Sequence, residues 1–175
     1  MWETTGALFL LGSFLLWSLY VRRTTRIGAP FVPSELRTVE SIVRLAEIQK
    51  GDVFYELGSG DGRIVIAAGL RGAQAYGVEI DPLRVWYSRL WIKLLKLDQN
   101  AQIIHKNFFK VNLSKAKVVC LFLLPETNEK LTKKLKKELK KGAKVISYAF
   151  PLIDWEPAYI DPFGGYFGPI FVYKK

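Results

Sequence analysis

Apolar and polar positions along this chain fall into blocks whose lengths predict a succession of helices and strands. The first block stands apart. Residues 4–21, TTGALFLLGSFLLWSLYV, carry no charge and no proline. As a helix from Trp2 to Val21 the segment would be roughly 30 Å long, about one bilayer core, with Glu3 at the interface. Trp2, Trp17 and Tyr20 lie near its two ends, where amphipathic rings prefer to sit. Beyond it, Ser34 is placed to cap a helix over residues 35–47, and Lys50-Gly51-Asp52 breaks into a first strand, Val53–Leu57. A helix over 63–69 and a strand over 75–80 follow. Pro82 opens a helix running through Arg89 to Leu97, before a third strand, Ala101–His105. Residues 118–124 are an unbroken apolar run, as expected of a central parallel strand covered on both faces. Pro125 stops it, and Leu131, Leu135 and Leu139 recur at i, i+4, i+8 in an amphipathic helix over 128–140. Residues 144–150 are a fifth strand. The turns Asp161-Pro162 and Phe163-Gly164-Gly165 separate 158–160 from 169–173 and predict a closing antiparallel hairpin. This alternation predicts an α/β fold, a Rossmann-like doubly wound sheet of seven strands, without internal repeat or second domain.

The expected organisation is an N-terminal transmembrane anchor over 1–23, a juxtamembrane linker over 24–33 and one domain over 34–175. A cleaved signal peptide would want a positive n-region and a small-residue cleavage site. Here no Lys or Arg precedes the apolar run and Val21-Arg22-Arg23 follows it, so a retained anchor is expected. Arg22, Arg23 and Arg26 after the span place the domain on the cytoplasmic side, or the matrix side of a mitochondrion, with the N-terminus outside.

Candidate chemistry concentrates between residues 53 and 81, VFYELGSGDGRIVIAAGLRGAQAYGVEID. Strand, glycine-dense turn, helix and a second strand ending near an acid make half of a nucleotide-binding βαβ unit. A dinucleotide site wants G-x-G-x-x-G, whose third glycine packs the helix at a pyrophosphate. Arg63 holds that position, and the glycines fall instead at 58, 60 and 62. Glu56, two residues before the first glycine, suits a ligand bearing an ammonium and opposes a pyrophosphate. Glu79, about 20 residues on, can accept both hydroxyls of a ribose. The spacing resembles the E/D-x-G-x-G-x-G motif of class I S-adenosylmethionine-dependent methyltransferases.

Charge and composition narrow the rest. The chain carries 26 Lys and Arg against 16 Asp and Glu, a formal charge of +10, much of it in KLTKKLKKELKKGAK over 130–144. That lysine-rich face is either simply solvated or set against anionic lipid headgroups. No nucleic-acid recognition motif accompanies it, so nucleic acid is not an expected partner. A single cysteine, Cys120, and a single histidine, His105, leave no basis for a metal site or a disulfide framework; Cys120 is expected to be a small core residue and His105 a structural or surface one.

From about residue 30 to 155 the chain resembles the small seven-β-strand lysine methyltransferases. These include broad-specificity archaeal protein lysine methyltransferases and the membrane-anchored enzymes that modify the adenine nucleotide translocase and the ATP synthase c-subunit. The matching segments are PFVP at 30–33, ELGSGDGRI at 56–64, GVEIDP at 77–82, NFF at 107–109, FLLP at 122–125 with Asn128, VIS at 145–147, and the pair Phe150 and Trp155. The first motif carries Glu56 where Asp is commoner in the family. The resemblance implies that Gly58, Ser59, Gly60 and Gly62 cradle S-adenosylmethionine, with Glu56 and Asp61 at its methionine end. Glu79 would hold the ribose and Asn107 the adenine edge. A turn-forming role for Asn107 is the alternative.

The implied chemistry is in-line attack of an amine on a sulfonium methyl, without a metal. A free lysine has a pKa near 10.4, so neutralising it at pH 7 costs about 4.6 kcal/mol. Desolvation or a nearby acid must offset that cost. Beyond the carboxyl ends of the first and fourth strands the sequence offers Leu124, Pro125 and Glu126. Glu126 can guide or deprotonate the amine, although acids also favour first helical turns. Phe31, Phe150 and Trp155 are candidates either for an apolar channel around a lysine stem or for the core. The expectation is a membrane-anchored enzyme that N-methylates lysines of a protein substrate, membrane proteins among the candidates. A methyltransferase for a lipid or quinone, and a non-catalytic cofactor-binding membrane module, are the other readings.

Overall fold

A computed structural model describes residues 31–175, of which residues 32–175 form one compact unit. The anchor expected over 1–23 and most of the linker lie outside the described residues. Among the described residues no helix is long and apolar enough to cross a membrane.

The elements are α1 (Leu36–Ala46), β1 (Val53–Leu57), α2 (Arg63–Leu70), β2 (Gln74–Glu79), α3 (Pro82–Leu94) and β3 (Ala101–His105). After a short 3-10 turn (Phe108–Lys110) come β4 (Val118–Leu121), α4 (Pro125–Glu138), β5 (Lys144–Tyr148), β6 (Tyr159–Gly165) and β7 (Gly168–Lys174). They build one seven-stranded sheet in the order β3-β2-β1-β4-β5-β7-β6. The first five strands are parallel, and β7 runs antiparallel to both β5 and β6. Right-handed crossovers put α2 and α3 on one face and α4 on the other, because the strand order reverses between β1 and β4. Val39 and Ile42 of α1, Val65 and Ala68 of α2, and Val85 and Ile92 of α3 share one buried cluster with Phe54, Cys120, Ile146 and Tyr148 of the sheet. On α4, Leu131 and Leu135 are fully buried and Leu139 just beyond the helix is nearly so, as their spacing predicts.

Local chemistry explains where elements stop. Asp81 caps α3 with its carboxylate accepting from the amides of Leu83 and Arg84, and Pro82 takes the first position. The helix ends at Leu94, three residues before the predicted Leu97. Lys96 turns left-handed (φ 56°) there, and the amides of Lys96 and Leu97 bond back to Lys93 and Ile92. Ser34 does not cap α1: Glu35 is the N-cap, without a side-chain hydrogen bond. Ser34 is instead buried, and its carbonyl accepts from the Arg63 guanidinium.

Two predicted boundaries at the sheet's carboxyl edge also shift. β4 stops at Leu121, Phe122-Leu123-Leu124 lie beyond the ladder, and α4 already starts at Pro125. The residues read as turns, Asp161–Gly165, lie inside β6, with a register shift between Asp161 and Gly165. Gly165 serves close approach there: a Cβ would sit 2.1 Å from Thr38 Oγ1 and 2.4 Å from the Tyr148 hydroxyl. Pro162 is tolerated because β6 is an edge strand. Cys120 is fully buried core, and His105 is exposed with Nε2 3.0 Å from the Ile80 carbonyl oxygen.

Candidate active site

The glycine turn lies beyond the carboxyl end of β1, beside the point where strand order reverses. Gly58 and Gly62 both have φ of +81°, a left-handed conformation that L side chains rarely adopt. Space forbids a side chain as well: a Cβ on Gly62 would lie 2.9 Å from Ser88 Cβ on α3. Ser59 is buried beside β2, and its hydroxyl has no hydrogen-bond partner.

Three acids meet this turn, each in a different state. Glu79, at the end of β2, is buried and accepts three backbone hydrogen bonds: from Gly60 at 2.9 Å, and from Ile80 and Asp81 at 2.8 Å each. It therefore ties the turn to the second strand. Asp61 is held by Arg63, accepting from its amide and its guanidinium. The same guanidinium reaches the Ser34 carbonyl, so Arg63 clamps the turn to the segment before α1. Glu56 is buried, and its Oε2 has no partner. Burial pushes its carboxyl well above the usual carboxylate range, and the charges of Asp61 and Glu79 add to the shift. A bond from the Val65 backbone and the charge of Arg63 oppose it. Leaving Oε2 buried without a hydrogen-bond partner is costly. A ligand ammonium would complete it.

Asn107 caps the 3-10 turn after β3, its Oδ1 accepting from the Phe109 amide at 2.9 Å, and is half-buried. Its carbonyl thus makes the turn-forming bond foreseen as the alternative to adenine contact. Glu126 lies exposed in the first turn of α4.

The other half of the edge is built differently. Asn128, fully buried on α4, donates from Nδ2 to Ser147 Oγ (3.2 Å) and to the carbonyls of Phe150 (3.1 Å) and Pro151 (3.4 Å). Its Oδ1 is buried without a partner. Ser147 Oγ also donates to the Phe150 carbonyl. Between these anchors Ala149 sits at φ +66°, and the Phe150 amide bonds to the Tyr148 carbonyl across it, a strained three-residue turn. Phe122, Tyr148 and Phe167 form an aromatic cluster nearby, with ring centroids 4.5 Å apart for Phe122 and Tyr148 and 5.8 Å for Phe122 and Phe167. In the sequence Phe122 and Asn128 stand out only as parts of a matching segment and Phe167 not at all; no local spacing joins residues so far apart. Of the residues proposed for an apolar channel, Trp155 packs on Tyr173 and under the Lys136 ammonium, while Phe150 is half-buried after β5. Phe31 precedes the compact unit. Among the described residues no group of three or more His, Cys, Asp or Glu side chains could hold a metal ion.

Sheet order, glycine turn and paired acids define a class I S-adenosylmethionine-dependent methyltransferase. Residues 56–159 match the ANTKMT methyltransferase domain, and the chain belongs to that family. It is 39% identical over 130 residues to the protein-lysine N-methyltransferase of Saccharolobus islandicus strain REY15A, covering 73% of this chain and 81% of that protein. It is 36% identical over 135 residues to the human lysine N-methyltransferase of the ATP synthase c-subunit, covering 77% of this chain but 58% of that longer protein. Among solved structures, an RNA methyltransferase from Salinibacter ruber in complex with S-adenosyl-L-homocysteine superposes with a TM-score of 0.78. The two are 35% identical, with 82% of this chain and 93% of that chain covered.

The residues present fit S-adenosylmethionine. Glu56 offers a buried, unpaired carboxyl oxygen to an ammonium, and Ser59 an unpaired hydroxyl, at a turn whose glycines leave room for a ligand. When bound, the cofactor supplies a methyl group on a sulfonium, open to in-line displacement.

Proposed function

We propose that this enzyme N-methylates lysine side chains of protein substrates and works tethered to a membrane. The observation that carries the lysine assignment is the agreement of the names of relatives at 36–39% identity, an archaeal and a human lysine methyltransferase, on one substrate class. The site is consistent with it. The β4–β5 half of the edge presents aromatic rings and carbonyl oxygens, which suit an apolar stem ending in an amine. In this reading Glu79 binds the ribose, Glu56 and Asp61 orient the methionine end, and Gly58, Ser59, Gly60 and Gly62 line the cradle. Asn107 lies at the adenine edge with its amide nitrogen. Glu126, exposed at the rim, attracts the protonated amine. Burial of the amine away from water on that side then favours the neutral nucleophile. The charge-free run over 4–21 and the arginines after it support a tether, with the domain on the cytoplasmic or matrix side. A tether raises the effective concentration of substrates in the same membrane.

The test is to incubate the full chain with radiolabelled S-adenosylmethionine and host membranes, fractionate protein, lipid and RNA, and separate the hydrolysed amino acids. Label in methyl-lysines that disappears with Glu56→Gln supports the proposal. Label in lipid, quinone or RNA moves the substrate elsewhere. Measurable cofactor binding with no transfer to any fraction would point to a non-catalytic module.

A further inference from the structure

Helix α3 has no polar face. Val85, Ser88 and Ile92 point into the core, as their three- and four-residue spacing requires. Yet the outward positions are also apolar: Leu83, Trp86, Tyr87, Leu90, Trp91 and Leu94 are each 40–65% exposed. Leu95 continues the patch past the helix end. Six large apolar side chains on one surface helix exceed what scattered exposure accounts for. The polar residues among them share one sign: residues 82–97 contain Arg84, Arg89, Lys93 and Lys96 and no acid. Arg89 is committed to the Ile103 carbonyl, whereas Lys93 and Lys96 are exposed at the C-terminal end.

Exposed Trp, Tyr and Leu interleaved with cations are the composition of a helix that lies in a membrane interface. We propose that the outer face of α3 docks on an anionic lipid surface, resting on the reading that the enzyme works at a membrane. Charge decides against a second copy of this chain, since pairing two such faces would oppose cations with cations. It also separates this surface from α4, whose exposed face is lysine-rich and lacks apolar side chains to insert. The two helices lie on opposite faces of the sheet, so both cannot lie flat on one bilayer. RNA would use the rings and cations but leave Leu83, Leu90 and Leu94 without a role. The placement bears on catalysis. As a crossover between parallel strands, α3 begins at the carboxyl edge, three residues after Glu79. Docking by α3 therefore brings the rim of the active site close to the headgroups, where a lysine at the surface of a membrane protein would be presented.

The test uses the full chain in vesicles of phosphatidylcholine with phosphatidylglycerol, and of phosphatidylcholine alone. Cys120 is buried, so a cysteine introduced by Leu90→Cys takes an environment-sensitive fluorophore; Leu94→Cys is a second site and Lys133→Cys on α4 the control. The expected result is quenching of the α3 probes by spin-labelled lipid and protection from aqueous iodide, in anionic vesicles only. The α4 probe should stay in water, and Lys93→Glu with Lys96→Glu should release the α3 probes. α3 probes that remain in water, or that are quenched equally without anionic lipid, overturn the proposal. So does a lipid-buried α4 probe beside a wet α3. Protection that appears without lipid and grows with protein concentration would make the face a self-association surface. Protection on adding RNA instead would assign it to nucleic acid, and either result overturns the proposal. Methyl transfer to lysine, measured on the same samples, reads the catalytic assignment separately.

Discussion

The two halves of the sheet's carboxyl edge solve different problems with different chemistry. Around β1 and β2 the backbone itself is unusual: left-handed glycines, a carboxylate spanning three amides, and a second carboxyl left without a partner. Around β4 and β5 the working parts are an asparagine amide, two carbonyls, a strained alanine and three aromatic rings. The first half is made for a charged nucleotide-like cofactor, which must be held in one pose. In the proposed reading the second receives an amine on an apolar stem. It holds fewer acids, and a carboxylate beside the nucleophile would favour the protonated amine.

Substitutions can break this division, most strongly at the first half. Glu79→Ala should lower cofactor affinity by about 100-fold or more and destabilise the domain by about 2–4 kcal/mol, since three amides, two of them buried, lose their acceptor. Calorimetry with S-adenosylhomocysteine and urea unfolding measure the two losses; full affinity would refute the ribose assignment. Glu79→Gln with a 2′-deoxy ligand separates the roles: if Glu79 contacts the ribose, the two losses will not add.

Glu56→Gln should weaken binding by about 10–100-fold, from the loss of a hydrogen bond to a charged group. Its sharper signature is pH dependence. The folded carboxyl titrates above its unfolded value of about 4.3. The stability this contributes is full below that value and is lost as pH rises through the folded pKa. A cation bound beside Glu56 favours the ionised form, so binding should release a proton below the folded pKa. Affinity should therefore rise with pH up to that point and then level off. Glu56→Gln should abolish the slope, which titrations in buffers of different ionisation enthalpy would show.

In the second half the expected changes are smaller and reach catalysis rather than cofactor binding. Asn128→Ala should cost about 1–3 kcal/mol of stability through its lost bonds. It should lower kcat while the cofactor Kd stays within about twofold, because additivity holds across separate sites. Glu126→Gln, at an exposed rim, should raise the substrate KM only about two- to fivefold, as expected for a solvent-screened charge. A large fall in kcat with unchanged KM would instead make Glu126 the base.

The same contrast explains what is legible in the sequence. Left-handed turns and buried acids demand particular residue types at fixed spacing, so Glu56, the glycines and Glu79 stand out, and the bounds of β1 and β3 agree to the residue. The β4–β5 half depends on contacts between residues near 122, 128, 147–151 and 167, whose types are ordinary in any fold. Its strands are accordingly predicted too long, at Phe122–Leu124 and at Ala149–Phe150, where apolar composition continues after the ladder has ended. Glycines 164 and 165 mislead in the opposite direction, since they serve close strand packing rather than a turn. The outward face of α3 is invisible in the sequence for a similar reason: apolar residues recur all round the helix, and only the fold shows which of them face outward.

The most direct test of lysine methylation is mass spectrometry of membrane proteins from host cells lacking this chain, complemented with the wild-type chain or with Glu56→Gln. The expected result is a lysine whose methylation is lost on deletion, restored by the wild type and not by the variant. Unchanged lysine methylation, with a methylated nucleoside or lipid lost in its place, would contradict it.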